Sequence, residues 1–168
     1  MKKYELTNET IEVEGYVLHR IKALIDFGDV KAGDLGGFIE DESNLSHEAN
    51  CWVYDNAMVY QDAKVQGYAE VHGHAKVYGN AYIGAWSLIS EFGSVYGNAK
   101  LYGSHVYGHA KVYENAILNG GMIEICDNAK VHGDFQTNPG AGFINIWEND
   151  DIQDTFGLFR CNCLKKYR

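Results

Sequence analysis

An all-β solenoid, a stack of short parallel strands joined by sharp corners, is the fold this sequence predicts. Three observations predict it. A six-residue period runs through residues 51–134, and every unit carries Val, Ile or Leu at one fixed slot. The composition has 19 glycines against a single proline, which fits many tight corners and neither collagen nor a polyproline linker.

The repeat reads small–x–aliphatic–x–Gly–Asn, as in AKVYGN (75–80), AKVYEN (110–115) and AKVHGD (129–134). Units begin at 51, 57, 63, 69, 75, 81, 87, 93, 99, 104, 110, 116, 123 and 129. The aliphatic slots are Val53, Val59, Val65, Val71, Val77, Ile83, Ile89, Val95, Leu101, Val106, Val112, Leu118, Ile125 and Val131. Were such residues drawn at their average frequency of about a quarter, this would arise about once in 10⁸ trials. The slot two residues earlier is Ala nine times, with Cys51, Ser87, Gly93, Ser104 and Ile123 as exceptions. One unit is a residue short (99–103) and one a residue long (116–122), so the phase recovers. Side chains alternate along a strand, so the small and aliphatic residues of a unit share one face while the x residues point outward. A helix would require a period near 3.6. The Gly-Asn pair supplies the positive φ of a sharp corner, and stacked units make a solenoid with a Val and Ala interior.

The Val-Tyr-Gly-Asn-Ala-Lys register resembles the hexapeptide repeat of left-handed parallel β-helix proteins. In that family three units make one triangular coil. The resemblance implies a left-handed parallel β-helix of about four and two-thirds coils here. The opening segment, through GDLGGFI and NLSHEANCWVYDNA, is similar to a subgroup found in bacteria and their phages, usually labelled transferases because of the repeat.

The flanks read as caps: residues 1–42 an N-terminal β cap, 43–134 the β-helix, and 135–168 a C-terminal β cap or oligomerisation segment. Strands are expected at 3–6, 11–13 and 16–23, with Glu14-Gly15 as a hairpin turn. A Gly/Asp-rich loop follows at 26–39. Beyond Asp134 the period fails, 137–142 reads as a linker, and 143–147 and 156–164 alternate like two strands. An open solenoid end exposes unpaired backbone, so each end needs a cover.

Composition narrows the partners. The chain is 168 residues and 18.8 kDa, with a net charge of -9. A general nucleic-acid or anionic-membrane binder would be basic. No apolar run reaches the ~18–20 residues that span a bilayer, and no apolar stretch follows the first lysines as in a signal peptide. The four cysteines lack CxxC spacing, so a cytoplasmic protein with reduced thiols is expected.

Sorting outward residues by coil gives three faces. One holds a column of Tyr60, Tyr78, Tyr96, Tyr113 and His132 beside Met58, Lys76, Ser94, Lys111 and Lys130. Such an aromatic ladder either stacks bases or sugars, or simply ties neighbouring layers together. A second face holds Trp52, Glu70, Leu88, His105 and Glu124 beside Tyr54, His72, Ser90, Tyr107 and Cys126. Its corners add Tyr68 and Trp86 on one side, and His74, Phe92 and His109 on the other. Apolar residues rimmed by polar ones mark an interface, so Trp52, Tyr54, Tyr68, Trp86, Leu88, Phe92 and Tyr107 are the expected ligand or subunit contact. The third face is mixed and reads as solvated.

The family resemblance implies a homotrimer. It also implies, for acyltransferases, a histidine general base between subunits, here His72, His74, His105 or His109, with acyl-CoA as the donor. Against this, 51–134 holds no insertion long enough to wall an active site, and no carboxylate is fixed beside these histidines by the repeat. The His-x4-His pair of metal-binding relatives is absent, so no metal is expected. Asp26-Phe27-Gly28 lacks the rest of a kinase, and acidic sequence rather than a helix follows Gly33-Asp-Leu-Gly36-Gly37. Cys161 and Cys163 form a lone CxC. These observations point to a non-catalytic trimeric scaffold or binding protein, such as a phage or prophage accessory protein capturing a host ligand or protein. The alternatives are an acyl-CoA-dependent acyltransferase and an acidic nucleic-acid mimic that inhibits a host nuclease or defence system.

Overall fold

The computed structural model describes residues 1–139 and 142–154. Within them every aliphatic slot of the repeat is fully buried, and so is each small slot two residues earlier. The slots line three vertical columns. Val59, Val77, Val95, Val112 and Val131 pair in parallel register along one. Val53, Val71, Ile89, Val106 and Ile125 form the second, and Val65, Ile83, Leu101 and Leu118 the third. Alanine fits between them because the interior is too narrow for two large residues at one level. The chain is an all-β parallel solenoid.

The stack runs to about six turns, more than the repeat alone predicts. Ile39 pairs above Val59 and Leu45 bridges to Val65 at the first end. At the other, Ile146 pairs with Ile125 and Ile152 with Val131. A six-residue count misses these layers because their coils are longer. Twenty residues separate Ile39 from Val59 and twenty-one separate Val131 from Ile152, against eighteen from Val59 to Val77. The segment expected as a linker starts by joining the stack: the Thr137 N–H donates to the Ile117 carbonyl at 3.0 Å. The strand expected at 143–147 is present as Ile144–Ile146. The one expected at 156–164 lies outside the described residues.

The N-terminal cap is built as the turn chemistry predicts. Strands β1 (Tyr4–Val13) and β2 (Tyr16–Ala23) pair antiparallel around Glu14 and Gly15, both at positive φ. Strand β2 pairs antiparallel with β3 (Leu35–Ile39), which then runs parallel to Met58–Val59. Gly36 and Gly37 permit this approach, since a Cβ on either would sit 2.5–2.6 Å from the Val53 or Ala57 carbonyl. The cap also plugs the first coil. The Tyr4 hydroxyl donates to the Leu45 carbonyl (2.7 Å), and the buried Lys3 ammonium donates to the Cys51 carbonyl (2.8 Å). Burial lowers the Lys3 pKa and raises that of Cys51.

Corners follow one rule, met by glycine, by a side chain that bonds the next coil and, at one corner, by Ala85. The fifth residue of a unit takes positive φ, and glycine meets this at positions such as Gly79 and Gly97, where a Cβ would lie 2.8 Å from the backbone nitrogen one coil on. Where the residue is Asp55, Gln61, Glu91, Glu114 or Asp127, its side chain accepts from the backbone N–H of the same corner in the next coil, at 2.7–3.0 Å. At one corner Asn80, Asn98, Asn115 and Asp134 form an amide ladder at 3.0–3.1 Å. Among the described residues no helix is long and apolar enough to cross a membrane.

Candidate active site

The second face brings together part of what the sequence singles out. Glu70-Val71-His72 lies at a strand end, so Glu70 and His72 both point outward, two residues apart. Glu70 Oε2 accepts from His72 Nε2 at 2.9 Å. A carboxylate can only accept, so Nε2 is the donor of this pair. The His72 ring lies flat on Tyr54, with centroids 4.0 Å apart and planes 9° apart. Burial first, then the charges of Glu70, Asp29 and Asp55, push the Tyr54 hydroxyl up to about 12. It stays protonated, a donor at neutral pH.

Tyr54 and Glu70 line a cavity of about 180 Å³, with Tyr68 and Trp86 on one side and Phe27, Gly28, Asp29 and Asn50 on the other. The second group corrects the expectation that nothing walls this face. The wall comes from outside the repeat: Phe27 and Val30 exchange backbone hydrogen bonds at 3.0 and 2.9 Å, which turns the Asp26-Phe27-Gly28 loop back over the first coil. The expected lack of a carboxylate beside a histidine is likewise corrected by Glu70. Its signal was present, since any Glu-x-His on a strand puts both residues on one face. The loop wall left no such signal, because only the folded cap brings residues 27–29 to Tyr54.

The remaining candidates disperse. Trp52 was expected on the exposed face, but only 1% of it is exposed; Tyr4 and Phe27 cover it edge-on, at 5.9 and 5.3 Å. The reason is its position in the first coil, directly under the cap. His74 and His109 sandwich Phe92 at a corner, 5.4 and 4.9 Å from it. His105 lies two layers from Glu70 in register, with Leu88 between them. Leu88 and Tyr107 are half-buried, while Tyr68 and Trp86 stack at 4.2 Å and stand out into solvent.

The tyrosine column is a continuous stack. Tyr60, Tyr78, Tyr96, Tyr113 and His132 follow one another at 4.7–5.1 Å, with planes within 12°. Tyr60 is buried beneath Leu18 of the hairpin and Phe38 of β3, and His132 is held by Asp151 at 2.6 Å. Ring faces inside the column are already used on one another, leaving edges and hydroxyls outward. This geometry ties layers together rather than offering faces to a base or a sugar. Among the described residues no three His, Cys, Asp or Glu side chains converge as metal ligands.

No protein-family model matches the chain. Over 63 residues it is 41% identical to an uncharacterized acetyltransferase, YdcK, of Escherichia coli (strain K12). The matched stretch is 33% of this chain and 19% of that relative, so the chain spans about a fifth of the relative's length. The solenoid and this likeness together fit the hexapeptide-repeat, transferase-like class of proteins.

Proposed function

We infer that this protein is an acyltransferase of the hexapeptide-repeat type, with His72 as general base and acyl-CoA as donor. The observation that carries the reading is that His72 is bonded to Glu70 and stacked on Tyr54, two residues that line a loop-walled cavity. Glu70 fixes the tautomer and stabilises the imidazolium that forms. In the step proposed, an acceptor hydroxyl or amine gives its proton to His72 Nδ1 as its oxygen or nitrogen bonds the acyl carbon. The carbon–sulfur bond then breaks, and the proton passes from His72 to the leaving thiolate. Tyr54 supplies a neutral donor beside the reacting groups.

The E. coli relative named as an acetyltransferase supports this reading. A homotrimer belongs to the proposal, with the Phe92 corner of the second face as subunit contact; Phe92 is more than half exposed. Light scattering is expected to give about three times 18.8 kDa. The catalytic test is release of free CoA from acetyl-CoA in the presence of pooled hydroxyl and amine acceptors. His72→Ala is expected to lower the rate 10²–10⁴-fold, as loss of a general base does. No release by the wild-type protein, or release unchanged in His72→Ala, would overturn the assignment.

A second reading rests on a different observation. The ring, amide and corner ladders run through the stack without interruption on the tyrosine side, which suits a stiff scaffold. In that reading the trimer binds a partner and His72 only braces Tyr54. The CoA-release assay separates the two.

A further inference from the structure

We propose that the protein binds a flat, neutral or cationic heteroaromatic ring in a slot above Trp86, where its second ring column lacks one rung. The slot follows from the repeat's two irregular units. At the corner between the third and second faces, successive coils place different numbers of residues between the same paired positions. Gly84, Tyr102 and Asn119 are in register, and so are Leu88, His105 and Glu124. Between Gly84 and Ser87 stand Ala85 and Trp86; between Tyr102 and Ser104 stands Gly103 alone; between Asn119 and Ile123 stand three residues ending in Met122.

The lower rungs show what the corner normally holds. Trp86 lies on Tyr68 at 4.2 Å with planes 4° apart. The next coil offers only Gly103, and a Cβ placed there would meet nothing within 4 Å. The coil after that supplies Met122, which is 49% exposed. Trp86 itself is 68% exposed and Tyr68 43%, so the uncovered ring is the upper one. Trp86 and Met122 stand two layers apart, roughly 10 Å at ~4.8 Å per layer. That admits one ring at stacking distance from the indole below, with the thioether above it.

The slot's floor is closed and its rim defined. Ser87 occupies the small slot beneath it, and its hydroxyl oxygen accepts from both Gly103 N–H (2.9 Å) and Ser104 N–H (3.3 Å). The backbone of the shortened corner is thus satisfied internally, and a ligand meets rings rather than unpaired amides. Tyr102 flanks the slot on one side and His105 on the other, both half-buried. Glu124 follows in the layer above His105 and Glu70 lies two layers below it. The carboxylates of Glu70 and Glu124 on this face disfavour an anion and favour a neutral or cationic ring. The site does not depend on acyl transfer at His72.

The test uses full-length ¹⁵N-labelled protein with adenosine as neutral probe, proflavine as cationic probe and AMP as anionic probe. The indole N–H signal of Trp86, assigned with Trp86→Phe, is expected to shift saturably with adenosine and proflavine, and at least tenfold more weakly with AMP. Trp86→Ala is expected to weaken binding at least tenfold. Inserting one Tyr after Gly103 restores the six-residue unit and fills the slot from within. That protein is expected to melt no lower than wild type and to lose the binding. Should the insertion disrupt folding, Met122→Ala serves as the second variant, expected to weaken binding severalfold. Absence of any saturable Trp86 shift at millimolar probe would overturn the proposal. So would undiminished binding in the insertion protein or in both Ala variants, or tighter binding of AMP than of adenosine.

Discussion

Two ring columns climb the same solenoid and end differently. The column from Tyr60 to His132 has a ring in every coil, is covered by the hairpin at its first end, and is tied to Asp151 at its last. The column of Tyr68 and Trp86 has two rings, then a glycine. In the first, each inner ring spends both faces on its neighbours, so the column adds stability and offers little to a ligand. In the second, one indole face is left to solvent. Regularity in a solenoid makes structure, and departure from regularity makes sites. The cavity at Tyr54 obeys the same lesson, since it forms where the non-repeating cap meets the first coil.

The change with the largest expected effect attacks what both columns share. Val77 is fully buried between Val59 and Val95. Val77→Asp puts an unpaired charge in a column with no room for water and is expected to cost several kcal/mol, about 3–5. A chemical melt within experimental error of wild type would show the inside–outside register to be wrong.

The next pair separates the columns. Tyr96 stacks on two rings at 4.8 and 4.9 Å, and Trp86 on one. Tyr96→Ala is expected to destabilise by about 2–3 kcal/mol, counting two stacking contacts and lost burial, and Trp86→Ala by about 1 kcal/mol. Equal losses would erase the distinction drawn between structural and free rings.

The tyrosine column also predicts an alkaline limit. Burial first, then the charges of Tyr78, Tyr113 and Glu114, push Tyr96 up to about 12, and burial raises Tyr78 and Tyr113 as well. An unfolded tyrosine ionises near 10. The folded pKa is the higher one, so the stabilisation is complete below about pH 10 and is lost as pH climbs toward 12. Urea melts across that window should show a falling midpoint, and Tyr96→Phe should flatten the fall. The smallest effect is expected at the amide ladder, where Asn98→Ala removes two exposed hydrogen bonds and costs about 0.5–1 kcal/mol.

The interior was legible to the residue. The period-six slots named the buried columns because a strand's alternation is strict and the solenoid copies it coil after coil. The outermost layers at Ile39, Leu45, Ile146 and Ile152 were not, since longer coils break the count while leaving the pairing intact. The site was half legible. His72 and Tyr54 fell on the right face, and Glu70 beside them followed from alternation alone. Trp52 was misplaced and Phe27, Gly28 and Asp29 were missed for one reason, which is that the cap's path over the first coil depends on tertiary contacts with no periodic trace. Two glycines at positions 36 and 37, which the sequence places in a Gly/Asp-rich loop, allow the strand to touch the coil.

The most direct test of the account sets the residues beside the cavity against the tyrosine column in one assay. CoA release from acetyl-CoA, with the pooled acceptors and corrected for folded fraction, would be measured for wild type, His72→Ala, Glu70→Gln and Tyr96→Ala. The account predicts a 10²–10⁴-fold loss for His72→Ala, a smaller loss for Glu70→Gln, and an unchanged rate for Tyr96→Ala. A wild-type protein that releases no CoA, or a His72→Ala protein as active as Tyr96→Ala, would contradict it.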